Sequence, residues 1–177
     1  MEEPYKTLEA LAAEAVLNLQ SDYAVTLFSA IALEDSLERL LLVNMQLSDD
    51  AAEDAFGERR RLESFGAKIN EAYDFKLIDD DLRQDLRAIK DIRNTFAHHP
   101  RTLSRPRGMA PVSFATPEIA ELVRGKLGWE PHSKIKAFDF FKARVVACLS
   151  QIDHKFDESL YRKSVSEDGE PEGKKSR

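Results

Sequence analysis

Residues 79–98, with the sequence DDDLRQDLRAIKDIRNTFAH, are the stretch that decides the fold. Their apolar residues recur every three or four positions, which is the spacing of one face of an α-helix. These residues are Leu82, Leu86, Ile89, Ile92 and Phe96. The three aspartates at the start stabilise a helix N-terminus, and Pro100 predicts that the helix ends near His98. The stretch therefore predicts an amphipathic helix that buries one face in a larger core.

The flanking segments carry the same helical spacing. Ser21 and Asp22 form a predicted N-cap, after which a long helix with Val25, Phe28 and Ile31 at core positions ends near Leu47. Further helices are predicted over residues 4–19, 65–75 and 116–127 and in a last long segment from Ser133, and residues 49–56 could add a short helix that Gly57 ends. The predicted inward positions of that last helix are Ile135, Phe138, Phe141, Val145, Cys148, Leu149, Ile152 and Phe156.

Together these segments predict an all-α fold in one domain. Strand-like alternation is nearly absent, and 177 residues are enough to bury a single core. We expect a single bundle of five to six helices over residues 1–163. The remaining residues, 164–177, are rich in Ser, Gly, Pro, Glu and Lys, which predicts a disordered polar tail.

Composition excludes several classes of protein. The net charge is −6, which disfavours a surface that binds DNA, sequence-specifically or otherwise, because such a surface needs clustered excess Lys and Arg. The N-terminus lacks the pattern of a signal peptide, and no apolar run approaches the roughly 20 residues that span a bilayer. We therefore expect a cytoplasmic protein without a membrane segment.

The sequence predicts no cofactor and no metal site, and Cys148 fits a buried core thiol.

The candidate site consists of Arg93, Asn94 and His98 at the end of the 79–98 helix. Asn94 and His98 are four apart and share a face, whereas Arg93 and His98 are about 140° apart around an ideal helix. They converge only if the helix end unwinds or if the arginine side chain curls round it. The three could bind a phosphate, orient a hydroxyl and move a proton. The alternative is a polar helix end, with Arg93 paired to Asp91, Asp85 or another acid.

Two groups of arginines are candidate binding residues. The triplet Arg59, Arg60 and Arg61 could grip RNA phosphates or an acidic partner, and Arg101 and Arg105 could widen a phosphate cleft beside His98. The alternative for both groups is an ordinary solvated surface.

The sequence resembles known families over residues 21–98. Arginine followed by a polar residue, with histidine five positions after the arginine, resembles the signature of the HEPN domain (higher eukaryotes and prokaryotes nucleotide-binding). The wider stretch is similar to the mannitol operon repressor family: SFGAKI at 64–69, IRNTFAH at 92–98 and Leu33-Glu34-Asp35 within residues 22–42. The basic triplet departs from that family, which tends to have a segment containing glycine and proline there.

The resemblance implies a HEPN-like helical fold and a regulatory, transcription-repressor-like role without a recognised DNA-binding motif. Such a protein acts through a protein partner. We also expect a homodimer, since two-fold dimers are the commonest assembly. The last helix carries more large aromatic residues than one face can hold, namely Phe138, Phe140 and Phe141, so it could contact a second protomer as well as its own core. The alternative is a metal-independent ribonuclease across that homodimer, with His98 as acid or base, Arg93 as phosphate stabiliser and Asn94 as orienting group. A weaker third possibility is one partner of a toxin–antitoxin pair.

Overall fold

The computed structural model describes residues 21–58, 60–98 and 112–168. These residues form six helices and no strand, which confirms the predicted all-α class. The helices are α1 (Asp22–Met45), α2 (Asp49–Phe56), α3 (Phe65–Asp74), α4 (Asp80–His98), α5 (Pro117–Leu127) and α6 (Ala137–Asp168). The predicted helix over residues 4–19 lies outside the described residues.

Local signals explain why most helix boundaries agree with prediction. The hydroxyls of Ser21, Ser48 and Ser64 each accept a hydrogen bond from the backbone N–H three residues on. The carboxylate of Asp79 accepts one of 2.9 Å from the Leu82 amide at the start of α4. Gly128 ends α5 in the left-handed conformation, with φ of 76°. Caps of this kind satisfy amides and carbonyls that have no partner inside the helix.

Helices α1 and α6 pack side by side, and two contacts that advance in the same sense along both helices indicate that they run in the same direction. The guanidinium of Arg39 lies 4.7 Å from the centre of the Phe156 ring, and Asn44 Nδ2 donates a hydrogen bond of 3.0 Å to Ser159 Oγ. Helix α4 packs against α1, α3, α5 and α6, so it occupies the middle of the bundle. None of the helices that the structure describes combines the length and the apolar content that crossing a membrane requires.

The predicted inward positions of Phe28 and Ile31 are wrong. Both side chains on α1 are about half exposed, whereas Val25, Leu33 and Leu37 are fully buried. Helix α1 carries apolar residues all round, and its described neighbours α3, α4 and α6 cover only part of its circumference. Helical spacing alone cannot indicate which side of such a helix the neighbours leave open.

The last helix starts later than predicted, at Ala137. Trp129 Nε1 and Ser133 Oγ each donate a hydrogen bond of 2.9 Å to the backbone carbonyl of Ile135, which holds residues 129–135 in a turn. Ile135 consequently lies outside the helix and is exposed, so its predicted inward position is wrong.

Helix α6 also ends later than the predicted start of the polar tail at residue 164. Its helical backbone continues to Asp168, and Ser164 Oγ donates a hydrogen bond of 2.8 Å to the Tyr161 carbonyl within it. Residues 164–168 are Ser, Val, Ser, Glu and Asp, so the last turn continues a helix that already exists and does not depend on a high helix propensity of its own. Residues 169–177 lie outside the described residues.

Candidate functional site at the end of helix α4

Helix α4 presents the candidate site from a fixed position in the bundle. Its five predicted core residues are all fully buried, as the spacing indicates: Leu82, Leu86, Ile89, Ile92 and Phe96. The helix remains regular as far as His98, its last residue. The backbone that carries Arg93, Asn94 and His98 is therefore set by core packing.

An aromatic cluster anchors this end of α4. The ring of Phe96 lies 5.3 Å from that of Phe114, which in turn lies 4.9 Å from Phe141 and 5.2 Å from Phe138. The Phe114 amide donates a hydrogen bond of 2.8 Å to Asp22 Oδ2 at the start of α1. Phe141 is buried, and Phe138 and Phe140 pack against the core, so these phenylalanines find partners within one protomer.

Arg93 and Asn94 contact each other directly. Arg93 Nη1 donates a hydrogen bond of 3.0 Å to Asn94 Oδ1, and both side chains are half-buried. His98 is exposed. Because α4 does not unwind before His98, the reach of the arginine side chain, rather than helix fraying, brings the guanidinium to Asn94. Asn94 stands one turn before His98 on the same face, so Arg93 turns toward the side of the helix that His98 occupies.

The two acids named as alternative partners of Arg93 have other partners. Asp91 Oδ2 lies 2.7 Å from Lys126 Nζ on α5, and its other oxygen lies 3.6 Å from Lys90 Nζ. Asp85 binds the guanidinium of Arg144 on α6 through both oxygens, at 2.5 Å each. The alternative pairing of Arg93 with Asp91 or Asp85 is therefore wrong.

Ion pairs partly neutralise the basic triplet. Arg60 lies 3.1 Å from Asp54, and Arg61 makes two hydrogen bonds of 2.5 and 2.8 Å to Glu71. The hydrogen bonds to Glu71 raise the pKa of Arg61. A phosphate would have to compete with these carboxylates for both side chains. Arg59, Arg101 and Arg105 lie outside the described residues.

A buried lysine is a feature that helical spacing does not predict. Lys68 on α3 is buried, and its ammonium lies 3.1 Å from Glu34 Oε1 and 2.7 Å from Glu38 Oε2, both on α1. Burial favours the neutral amine, but the hydrogen bonds to Glu38 and Glu34 outweigh it and raise the pKa of Lys68. Glu34 and Lys68 both belong to segments that carry the family resemblance. Their meeting in space indicates that part of this pattern serves the packing of α3 on α1.

One cavity lies away from the candidate site. It measures about 540 Å³ and lies where the start of α4, the end of α5 and the middle of α6 meet. Gln84, Asp85, Lys126, Arg144 and Gln151 are among its lining residues. From Leu82 to His98 the helix rises about 24 Å, so the cavity and the histidine lie near opposite ends of α4. Asp85 and Arg144, which form an ion pair with each other, both line it.

Cys148 lies near this pair, and it is a core thiol as predicted. It is fully buried. Burial, reinforced by the charge of Asp85, raises the pKa of Cys148 to about 12. Within the described ranges, no three His, Cys, Asp or Glu side chains lie close enough together to hold a metal ion.

The chemistry available at the end of α4 is anion binding and transfer of one proton. Arg93 offers guanidinium donors, Asn94 an amide and His98 an exposed imidazole. Cleavage of RNA by its own 2′-hydroxyl requires a base and an acid, and His98 supplies one of them. A second proton carrier must come from another molecule or another residue.

Comparisons with protein-family models, with curated proteins and with solved structures find no match. The resemblance to the mannitol operon repressor family and to the HEPN domain therefore stays a prediction.

Proposed function

We propose that this chain is a regulatory, transcription-repressor-like protein that acts by binding another protein. The observation that carries this proposal is the end of α6, which extends beyond the bundle. The hydrogen bond between Asn44 and Ser159 lies close to the end of α1, and residues 160–165 are all exposed. Three large apolar side chains occur in this extension: Leu160, Tyr161 at 71% exposure and Val165 at 53%.

An exposed apolar helix end favours a partner for physical reasons. Tyr161 and Val165 are four residues apart and share a face, with Leu160 beside it. A helix of two turns is marginal in water, and its apolar side chains gain free energy when a groove covers them. Tyrosine is among the side chains that contribute most to protein interfaces. The chemistry fits a partner protein with an apolar groove that receives one helix face.

The charge of the chain supports a protein partner over DNA. The net charge of −6 repels phosphate backbones, and Arg60 and Arg61 already face carboxylates. The resemblance to a repressor family without a recognised DNA-binding motif agrees with this choice.

The test is a partner search directed at α6, followed by a titration. A photo-crosslinking amino acid at position 161 of the full chain would capture and identify the partner in the source cells. The purified partner would then be titrated with wild type, with Tyr161→Glu/Val165→Glu, and with Ser150→Glu/His154→Glu. The last variant has the same spacing on the same helix and introduces the same two glutamates.

We expect the Tyr161/Val165 variant to bind at least about 30-fold more weakly, while the control stays within about twofold of wild type. Equal weakening of both variants, or no weakening, would contradict the proposal. Base-specific binding of the purified wild type to DNA at physiological salt would also contradict it.

The second candidate function is a metal-independent ribonuclease that works across a homodimer. The hydrogen bond between Arg93 and Asn94, one turn from the exposed His98, favours it. One histidine would take the proton of the 2′-hydroxyl, the partner's histidine would protonate the departing 5′-oxygen, and Arg93 would stabilise the charged phosphorane. RNA cleavage in EDTA by wild type, with activity lost in a folded Arg93→Ala/His98→Ala variant, would support it. Activity that survives His98→Ala would exclude it.

A further inference from the structure

Helix α4 carries a row of cations along one face. Arg83, Arg87 and Lys90 recur at intervals of four and three residues, so their side chains lie on the same side of the helix. Asn94 continues this row, and its amide accepts a hydrogen bond of 3.0 Å from the guanidinium of Arg93. From the first of these residues to the last, the helix rises about 16 Å. This α4 cation row therefore presents positive charge along three turns of a protein whose net charge is −6.

Uncharged side chains hold the arginines of the α4 cation row in place. The guanidinium of Arg83 lies 3.9 Å from the centre of the Tyr73 ring on α3. Arg87 Nη2 donates a hydrogen bond of 2.6 Å to Asn70 Oδ1, which is also on α3. The partner of Arg93 is likewise an amide. An aromatic ring and two amides fix the positions of the three guanidinium groups and leave their positive charge uncompensated.

This arrangement differs from that of other arginines in the protein. Arginines that face a carboxylate in the described residues are Arg60, Arg61, Arg124, Arg144 and Arg162. By contrast, no carboxylate of the described ranges lies within ion-pair distance of Arg83, Arg87 or Arg93. Lys90 has a carboxylate oxygen of Asp91 at 3.6 Å, but the other oxygen of that carboxylate lies closer to a second lysine. The described part of the chain therefore leaves the row largely unneutralised.

The chemistry and spacing of the row fit carboxylates on a neighbouring helix. A guanidinium group can bind a carboxylate through two parallel hydrogen bonds. Arg83 and Arg87 are four residues apart, which is about 6 Å along the helix axis. Two carboxylates that are four residues apart on another helix have the same separation. A small crossing angle keeps two such rows alongside each other over several turns.

The start of α4 disfavours a nucleic acid at this row. Asp79, Asp80 and Asp81 are all exposed, and they stand just before Arg83 in the sequence. A phosphate backbone that continued past Arg83 would meet these carboxylates and be repelled. An acidic helix can end at this point or place a lysine opposite the aspartates. The distribution of charge along α4 therefore favours a protein segment over a polynucleotide.

We propose that the α4 cation row binds an acidic helix of a partner protein, in which carboxylates recur every three or four residues. The proposal deepens the proposed function and rests on it for the class of partner. It adds a charged contact to the apolar contact at the end of α6. The second candidate function involves only the far end of the row, at Arg93.

Two synthetic peptides test the row without the partner. Both are alanine-based helices of about 16 residues, a composition that favours the helical state. The first carries glutamate at every fourth position, and the second carries glutamine at the same positions. The isotope-labelled full chain is titrated with each peptide at low salt, and the Nε–Hε signals of Arg83, Arg87 and Arg93 are followed by nuclear magnetic resonance.

We expect saturable shifts of these signals with the glutamate peptide, and we expect the affinity to fall as salt is added, because exposed charges are screened. The glutamine peptide should cause no shift. Absence of shifts with the glutamate peptide, or equal shifts with both peptides, would overturn the proposal.

Variants with the same change in net charge locate the binding surface. Arg83→Gln/Arg87→Gln removes two cations of the row, whereas Arg60→Gln/Arg124→Gln removes two exposed cations that already face carboxylates. We expect the first variant to bind the glutamate peptide at least about fivefold more weakly and the second to stay within about twofold of wild type. Circular dichroism verifies that both variants are folded. Equal weakening in the two variants would attribute binding to net charge and would overturn the proposal.

The same variants distinguish a protein ligand from RNA. A single-stranded RNA of about 12 nucleotides could bind the wild type more tightly than the glutamate peptide does and lose affinity in Arg83→Gln/Arg87→Gln. That result would overturn the proposal and assign the row to a nucleic acid. Failure of the proposed function has a different signature: the partner would bind Tyr161→Glu/Val165→Glu as tightly as wild type, while the shifts caused by the glutamate peptide would be unchanged.

Discussion

The ammonium of Lys68 on α3 donates a hydrogen bond of 3.1 Å to the carboxylate of Glu34 on α1. Glu38, one turn further along α1, lies 2.7 Å from the same ammonium. The lysine is buried and the two glutamates are partly exposed, so the lysine depends on this pair for its charge. A buried cation held by two carboxylates joins α3 to α1 at a defined position.

Replacement of Lys68 by methionine should lower the free energy of unfolding by about 2 kcal/mol, because Glu34 and Glu38 lose their common partner. Urea unfolding followed by circular dichroism measures the change. Arg124→Met is the matched control, since it removes a cation from the exposed pair with Glu121 and should have no measurable effect. A Lys68→Met protein as stable as the control would contradict a stabilising role for the cluster.

The charge of Lys68 in this cluster should make stability depend on pH in the alkaline range. The pKa of Lys68 is raised in the folded protein, so its contribution is fully present below the unfolded value of about 10.4. That contribution is lost as the pH rises through the folded pKa. The stability difference between wild type and Lys68→Met should therefore be constant from about pH 7 to 10 and shrink as the pH rises above about 10.4. A difference that shrinks between about pH 5 and 8 instead would assign it to another group.

Phe114 should be essential for the stability of the C-terminal end of α4. It is buried between Phe96 and Phe141, and its amide binds Asp22 on α1. Phe114→Ala should cost about 3 kcal/mol of stability and should speed amide exchange at the last turn of α4. Phe75→Ala, which truncates a half-exposed ring, should cost less than about 1 kcal/mol. Equal costs would mean that the aromatic cluster contributes no more than surface contacts do.

Cys148 should be inert to thiol reagents in the folded protein. The thiolate is the reactive form, and burial raises the pKa of this thiol to about 12. At pH 8 we expect its reaction with a disulfide reagent to be at least about 100-fold slower than that of Ser150→Cys, an exposed position two residues further along α6. Rapid reaction of Cys148 without unfolding would contradict its place in the core.

Local sequence signals predict the helix boundaries because the groups that end a helix lie within a few residues of each other. Ser64 and Asp79 cap their own helices, and Gly128 ends α5 with its own backbone conformation. The late start of α6 escapes prediction because Trp129 and Ser133 both donate hydrogen bonds to the Ile135 carbonyl and hold that segment in a turn.

Local sequence signals cannot predict the partners of charged residues that lie far apart in the sequence. Asp85 and Arg144 are 59 residues apart, and only the packing of α4 on α6 brings them together. The exposure of Phe28 has the same origin, since it depends on which neighbours surround α1. For the candidate site, the sequence places Asn94 and His98 on one face. The hydrogen bond that turns Arg93 toward that face depends on its rotamer, which helical spacing does not indicate.

The candidate site yields a prediction that separates RNA binding from a merely polar helix end. Asn94→Asp would place a carboxylate where the amide now accepts the hydrogen bond from Arg93, so the guanidinium would be neutralised and unavailable to a phosphate. If the second candidate function is correct, binding of a short single-stranded RNA at low salt should weaken about tenfold, with a smaller salt dependence.

Asn70→Asp is the matched control, because Asn70 accepts a hydrogen bond of 2.6 Å from Arg87 in the same chemical arrangement away from His98. Fluorescence anisotropy measures both variants, and the control should remain within about twofold of wild type. Equal losses in the two variants would attribute the effect to net charge, and no loss in either would remove Arg93 from any RNA contact.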